Sequence, residues 1–142
     1  MKAIVEKLIN LERRMAEEKG PFTLFALFLR EEAPNVWDLV VAADWITEKP
    51  AALTYVADKV SKTLSPDEIV KLSRIVILDQ DNPGMDDALA AIEIEHGKAE
   101  IRNSNFFGLD IKHAYIITSR RDGLPTPEGE PRSTPGPAVL QG

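Results

Sequence analysis

The chain has 142 residues, with 17 lysines and arginines against 23 aspartates and glutamates, and its net charge is −6. This length fits one domain around one core, and the acidic balance argues against a nucleic-acid partner. The absence of cysteine excludes disulfides, thiolate metal sites and cysteine nucleophiles. No apolar run is long enough to cross a bilayer, so we expect a cytoplasmic protein.

The first third of the chain predicts a helix and two strands. Residues 2–19 have apolar side chains at helical spacing, and Gly20-Pro21 ends the pattern. Two apolar runs, residues 22–30 and 36–43, follow on either side of a turn-like stretch. We expect them to form a hairpin that is buried on both faces.

The middle of the chain predicts two helices and a strand. Residues 48–64 again show helical spacing, and Ser65 with Pro66 and Glu68 has the pattern of a capping box at the start of a short helix. The β-branched run at residues 74–78 is typical of a central buried strand. A crossover through the helices would place this strand parallel to an earlier one.

The segment after this strand predicts a short helix and a second hairpin. Asn82-Pro83 has the pattern of a helix start, and Asp86 and Asp87 suit its first turn. Residues 91–95 and 98–103 alternate between apolar and charged side chains. We expect these two runs to pair through a turn at His96-Gly97, with one face in water.

The last strand is expected at residues 111–118, after a loop at residues 104–110. From residue 122 the composition changes: residues 122–142 hold 5 of the 10 prolines and 4 of the 8 glycines, which predicts a disordered tail. We therefore expect one α/β or α+β domain over residues 1–121. It should contain a mixed sheet of five to six strands, flanked by three to four helices.

Acidic residues are concentrated after the predicted central strand. Four of them lie within nine residues: Asp79, Asp81, Asp86 and Asp87. Ligands often bind at the carboxyl ends of strands, where Asp79 and Asp81 could hold Mg²⁺ or Mn²⁺. With Glu93 and Glu95, the pattern resembles metal-dependent nucleases, but the lysine that those enzymes place after the glutamate is absent. One hypothesis is a metal-dependent hydrolase or nuclease-like enzyme whose catalytic residues are Asp79, Asp81, Glu93 and Glu95. The simpler interpretation is a solvated loop and helix start.

Aromatic and amide side chains suggest a binding surface. The stretch around Asn103, Asn105, Phe106 and Phe107 could bind a polar planar ligand or a partner's side chain. A small-ligand sensor would have its pocket near these asparagines and His113. By alternation, we expect His113 to share a face with the neighbours two and four positions away in the last strand: Ile111, Tyr115 and Ile117.

The preferred hypothesis is a non-catalytic binding module without a cofactor. No glycine-rich phosphate loop can be written from the isolated glycines, and tryptophans at strand ends are frequent in interfaces. We expect the domain to form a homo-oligomer or to dock a protein partner through a sheet edge or an aromatic surface, without binding a membrane. The residues of that surface are Trp37, Trp45, Asn103, Asn105, Phe106, Phe107 and His113.

Overall fold

Four helices and five strands make up the part of the chain that the computed structural model describes, which is residues 1–120 without the side chains of Asp87 and Ala91. The tail expected at residues 122–142 lies outside the described residues. The elements in chain order are α1 (Lys2–Lys19), β1 (Leu24–Arg30), β2 (Trp37–Ala42), α2 (Lys49–Thr63), α3 (Pro66–Ile69), β3 (Leu72–Ile77), α4 (Met85–Ala91), β4 (Ala99–Phe106) and β5 (Leu109–Ser119).

The five strands form one mixed sheet, as predicted, in the order β3-β2-β1-β5-β4. The pairs β1–β2, β1–β5 and β4–β5 are antiparallel, and β2–β3 is parallel. A parallel pair needs a crossover connection, which α2 and α3 supply between β2 and β3. The predicted crossover is therefore confirmed.

Each face of the sheet has its own apolar core. Side chains from α1 and α2 pack on one face, here called the α1 face, against residues such as Phe25, Leu39 and Ile117. The short helix α4 packs on the opposite face, here called the α4 face, against residues such as Phe28 and Ile116. Strands β1 and β2 are buried on both faces by these two layers, as their continuous apolar sequences predict.

The predicted capping box is present at the start of α3. The Ser65 hydroxyl accepts a hydrogen bond from the Glu68 amide at 3.3 Å, and the Glu68 carboxylate accepts one from the Ser65 amide at 2.8 Å. The Lys7 ammonium also donates a hydrogen bond to the Glu68 carboxylate at 2.8 Å, so the capping residue links α3 to α1. At the predicted end of α1, Gly20 has a φ of 128°, a region that L side chains rarely adopt.

The predicted central position of β3 is wrong. In the described chain β3 is at the edge of the sheet, paired with β2 alone. Its side chains are only half-buried or exposed, whereas all six residues of β2 are buried. The strand's β-branched run is typical of a buried strand, but the order of strands in the sheet is set by contacts between distant parts of the chain.

The second predicted hairpin is also different from the one observed. Residues 92–98 form no regular strand and make one isolated bridge, between Ile94 and Ser119. Instead, β4 pairs with β5 through a turn at Phe107 and Gly108, which have φ values of 57° and 77°. This tight turn replaces the predicted loop, because the left-handed backbone at both positions reverses the chain within two residues.

The predicted shared face of Ile111 and His113 is wrong because β5 has a bulge. Leu29 of β1 pairs with His113, and the next residue of β1, Arg30, pairs with Ile111. Lys112 is therefore an extra residue in β5, and alternation shifts there. Ile111 consequently packs on the α4 face, while His113 contacts Trp37, whose side chain belongs to the α1 face.

Candidate functional site

The outer edge of β3 is the candidate site that the fold itself exposes. Ile75, Val76 and Ile77 are half-buried apolar residues, with the two isoleucines packed on the α1 face and the valine on the α4 face. No other strand of residues 1–120 pairs with this edge. An edge strand presents a row of backbone donors and acceptors to which another strand can bind.

The opposite edge of the sheet, β4, carries features that hinder such pairing. Glu100 and Arg102 are exposed along it, and Lys98 is exposed directly before it. Asn103 interrupts the regular strand with a φ of 53°. Charged side chains and local irregularities are the usual protection of an edge strand against other chains. The two edges of this sheet therefore differ in chemistry, and β3 is the unprotected one.

Exposed large apolar residues lie in the elements that flank β3. Val70, directly after α3 and two residues before β3, is 72% exposed. Leu53, which is 41% exposed, lies on α2, the helix that packs beside β3. These two residues therefore lie next to β3, one before it in the chain and one on the helix that packs beside it.

Arg74, the single charged residue of β3, forms an ion pair with a residue of β2. Arg74 Nε lies 3.2 Å from Oδ2 of Asp38, a buried carboxylate in β2. The same oxygen accepts a hydrogen bond from Arg30 Nε at 2.7 Å, and this bond raises the pKa of Arg30. Because Arg74 is held towards β2 on the α4 face, it does not protect the outer edge as a free lysine would.

A second polar cluster lies inside the domain and was not predicted from the sequence. Glu12 of α1 is 0% exposed. Its Oε2 accepts a hydrogen bond from the Thr118 hydroxyl at 2.8 Å, and its Oε1 lies 2.5 Å from Nδ1 of His96. The His96 amide also donates to the Thr118 hydroxyl at 3.1 Å. These three side chains satisfy one another, as buried polar groups require.

A bulge in β5 makes this cluster possible. Phe25 of β1 pairs with Thr118 and Ala26 pairs with Ile116, so Ile117 is an extra residue. Ile117 packs into the core on the α1 face, and Thr118 contacts Glu12 on the same side. Two consecutive side chains on one face are the expected result of a bulge.

This cluster orients the imidazole of His96. Its Nε2 lies 3.8 Å from Oε2 of Glu95, which in turn accepts a hydrogen bond from Arg120 at 2.7 Å. A carboxylate that holds one ring nitrogen of a histidine fixes the direction of the other, an arrangement used in acid–base and metal sites. Here Nε2 points towards the Glu95 carboxylate. The contacts of Glu12 with His96 and Thr118 therefore hold residues 92–98 against α1, and we call these three residues the clamp.

The two tryptophans occupy different environments. Trp37 is buried and packs against the rings of His113 and Tyr115, with centroids 5.4 Å away in each case. Trp45 is half-buried against Phe22 and Tyr55, and it lines a cavity of about 160 Å³ between α1 and the start of α2. Of the two, only Trp45 has surface that a partner could contact without unfolding.

Tyr55 also lines the Trp45 cavity and is hydrogen-bonded to a residue of α1. The Tyr55 hydroxyl donates a hydrogen bond to Glu18. Burial, and secondarily this hydrogen bond, raises the pKa of Tyr55. The hydrogen bond from Tyr55, and secondarily the positive charge of nearby Lys59, lowers the pKa of Glu18. This pair joins α1 to α2 next to the cavity.

His113 lies on the sheet beside a carboxylate of the neighbouring strand. Its Nε2 lies 2.6 Å from the Glu100 carboxylate across β4 and β5. The Tyr115 ring lies beside it, tilted, with a distance of 4.7 Å between the ring centroids. Burial, and secondarily the charge of Glu100, raises the pKa of Tyr115.

The amide and aromatic residues predicted to form one binding surface lie in different environments. Asn105 and Phe107 line an open cleft of about 430 Å³, together with residues that precede α4: Asn82, Pro83 and Gly84. Phe106 is buried and stacks on Phe28 at 5.4 Å, while Asn103 is exposed on β4. Two of the predicted binding residues therefore meet at a cleft that neither Phe106 nor His113 lines.

The predicted acidic residues lie at separate positions. Asp79 pairs with Lys49 at 3.0 Å, Glu95 pairs with Arg120, and Asp81 and Glu93 are exposed. Among the side chains that the structure describes, no group of three or more histidines, aspartates and glutamates is placed to hold a metal ion. The metal-dependent enzyme therefore remains a prediction. In the described part of the chain, its proposed ligands do not come together.

Comparisons with known proteins add no function to this geometry. Within residues 1–120, no helix is both long and apolar enough to cross a membrane. No protein-family model matches the chain, and neither curated proteins nor solved structures give a match.

Proposed function

We propose that this domain is a protein-binding module that receives an extended strand at the outer edge of β3. One observation carries the proposal: β3 has the β-branched, apolar sequence of a central strand but occupies an edge. A bound strand would give β3 the second neighbour that its sequence suits. Backbone hydrogen bonds would supply affinity, and alternating side chains would supply specificity.

The side chains of β3 support this assignment on both faces. Ile75 and Ile77 border the core between the sheet and the helices α1 and α2, and Val76 borders the core under α4. All three are left half-buried at the rim of these cores. Apolar side chains of an added strand would extend each core outward and remove this surface from water.

A peptide of residues 71–80 of this chain tests the proposal in solution. It is added to isotope-labelled full-length protein, and backbone amide signals are followed by NMR. We expect the signals of β3 to shift and those of β4 to stay unchanged. The control is the same peptide with proline in place of its two central isoleucines, which removes two backbone donors and should abolish the shifts.

The result depends on whether the edge is free in the sample. If the amides of Ile75 and Ile77 exchange readily with solvent and the peptide leaves β3 unperturbed, the proposal is wrong. If these amides are already protected in a self-associated protein, the edge is occupied in the proposed manner.

The cleft beside α4 favours a second candidate, the small-ligand sensor. Its walls combine the Phe107 ring with the amide of Asn105 and the segment that contains Asn82. Stacking on the ring and hydrogen bonding to an amide suit a planar polar molecule. A thermal-shift screen of such compounds tests this candidate, and loss of any hit in Phe107→Ala would assign it to the cleft.

A further inference from the structure

We infer that the occupant of the β3 edge is β3 of a second copy of this chain, in an antiparallel pair with Val76 on the two-fold axis. The inference rests on the proposed function and specifies its partner and register. The backbone direction of β3, the charges at its two ends and the symmetry of its sequence each contribute to the argument.

One hydrogen bond shows which backbone groups of β3 face outward. The Leu78 amide donates to the Val41 carbonyl at 2.9 Å, so the backbone groups of Leu78 point towards β2. In a strand these groups alternate between the two neighbours from one residue to the next. The donors and acceptors of Val76 therefore also point to β2, and those of Ile75 and Ile77 point outward.

The outward groups are complementary to themselves under two-fold symmetry. In an antiparallel pair centred on Val76, Ile75 lies opposite the partner's Ile77, and Ile77 lies opposite the partner's Ile75. Each such pair exchanges two hydrogen bonds, which makes four in total. An axis on Ile75 would instead require Ser73, where the pairing of β3 with β2 is irregular.

The charges at the two ends of β3 favour the same antiparallel direction. Lys71 is exposed directly before the strand and Asp81 is exposed after its end, and in the proposed register each lies opposite the other residue of the partner copy. Antiparallel pairing brings the basic end of each copy next to the acidic end of the other, whereas parallel pairing would align like charges. Complementary charges at the rim of an interface select its orientation.

The pair also joins the apolar surfaces of the two copies. An axis perpendicular to the sheet places the helix layers of both copies on the same side of a continuous ten-stranded sheet. Isoleucines face isoleucines on the α1 face, and Val76 faces the partner's Val76 on the α4 face.

Single cysteines test both the partner and the register, because the chain contains no native cysteine. Directly opposed residues that do not exchange hydrogen bonds have Cα atoms about 4.5 Å apart, within the span of a disulfide. Val76→Cys should therefore give a covalent dimer under mild oxidation. In the matched control Ile75→Cys, the thiols are displaced by two residues, roughly 8 Å between Cα atoms, and should not link.

Light scattering on the unmodified full-length protein provides a measurement that needs no variant. We expect a concentration-dependent dimer and at least a tenfold excess of cross-linked Val76→Cys over Ile75→Cys. Selective linkage of Ile75→Cys would overturn the register. A monomer at every concentration, with neither variant linked, would overturn the second copy as occupant, while binding of the peptide to β3 would still support the proposed function.

Discussion

Oε1 of Glu12 lies 2.5 Å from Nδ1 of His96, although the two residues are 84 positions apart in the chain. The contact joins the middle of α1 to the segment that connects α4 with β4. Thr118 of β5 binds the other carboxylate oxygen at 2.8 Å. A buried carboxylate with both oxygens engaged stabilises the fold only while its partners remain.

Replacement of this carboxylate should be strongly destabilising. We expect Glu12→Ala to lower the free energy of unfolding by about 3–5 kcal/mol, because the change removes the buried carboxylate that both the buried Thr118 hydroxyl and the half-buried His96 ring contact. Thr118→Val removes one hydrogen bond to the same carboxylate and should cost about 1–3 kcal/mol. Urea unfolding followed by circular dichroism measures both, and equal stability of Glu12→Ala and the unmodified protein would refute the clamp.

The two adjacent phenylalanines at the end of β4 should differ in their effect on stability. Phe106 is buried and stacked on Phe28, so Phe106→Ala should cost about 3–5 kcal/mol. Phe107 is half-buried beside the open cleft, and Phe107→Ala should cost about 1 kcal/mol. Thermal unfolding of the two variants provides the comparison; a larger loss in Phe107→Ala would contradict the observed packing.

The contact between α1 and α3 should depend on pH through Glu68. The Lys7 ammonium, followed by the Ser65 amide, lowers the pKa of Glu68 below its usual value of 4.5. A lowered pKa in the folded state adds stability above the unfolded-state value, and this contribution is lost as pH falls through the folded-state value.

Glu68→Gln, which keeps the shape of the side chain, tests this dependence. The variant should be less stable than the unmodified protein at pH 7, and the difference should shrink as the pH falls below 4.5. Urea unfolding over a pH series measures it. A difference that is constant with pH would show that the charge of Glu68 makes no contribution.

Local sequence patterns predicted the elements whose signals are local. The capping box at Ser65 needs only residues of its own turn, and the buried strands around Phe25 and Leu39 follow from continuous apolar runs. The edge position of β3 could not be predicted in this way. It depends on strand order, which is set by contacts between distant parts of the chain.

The candidate site was predictable only in part, for the same reason. Asn105 and Phe107 were singled out and lie together at a cleft, because they are close in sequence. Glu12 was missed, although a charged residue inside the apolar stripe of α1, between Leu8 and Met15, is a signal of a buried polar contact. Its partner His96 could not be identified, since the alternation of residues 91–95 predicted a hairpin turn at His96 and carries no information about a contact with α1.

Amide hydrogen exchange on the full-length protein tests the binding edge of β3 most directly. In dilute protein, the amides of Val76 and Leu78 should be protected by β2, while those of Ile75 and Ile77 exchange quickly. At high protein concentration, or with the peptide of residues 71–80, the amides of both isoleucines should become protected as well. Fast exchange of Ile75 and Ile77 under every one of these conditions would contradict strand addition at this edge.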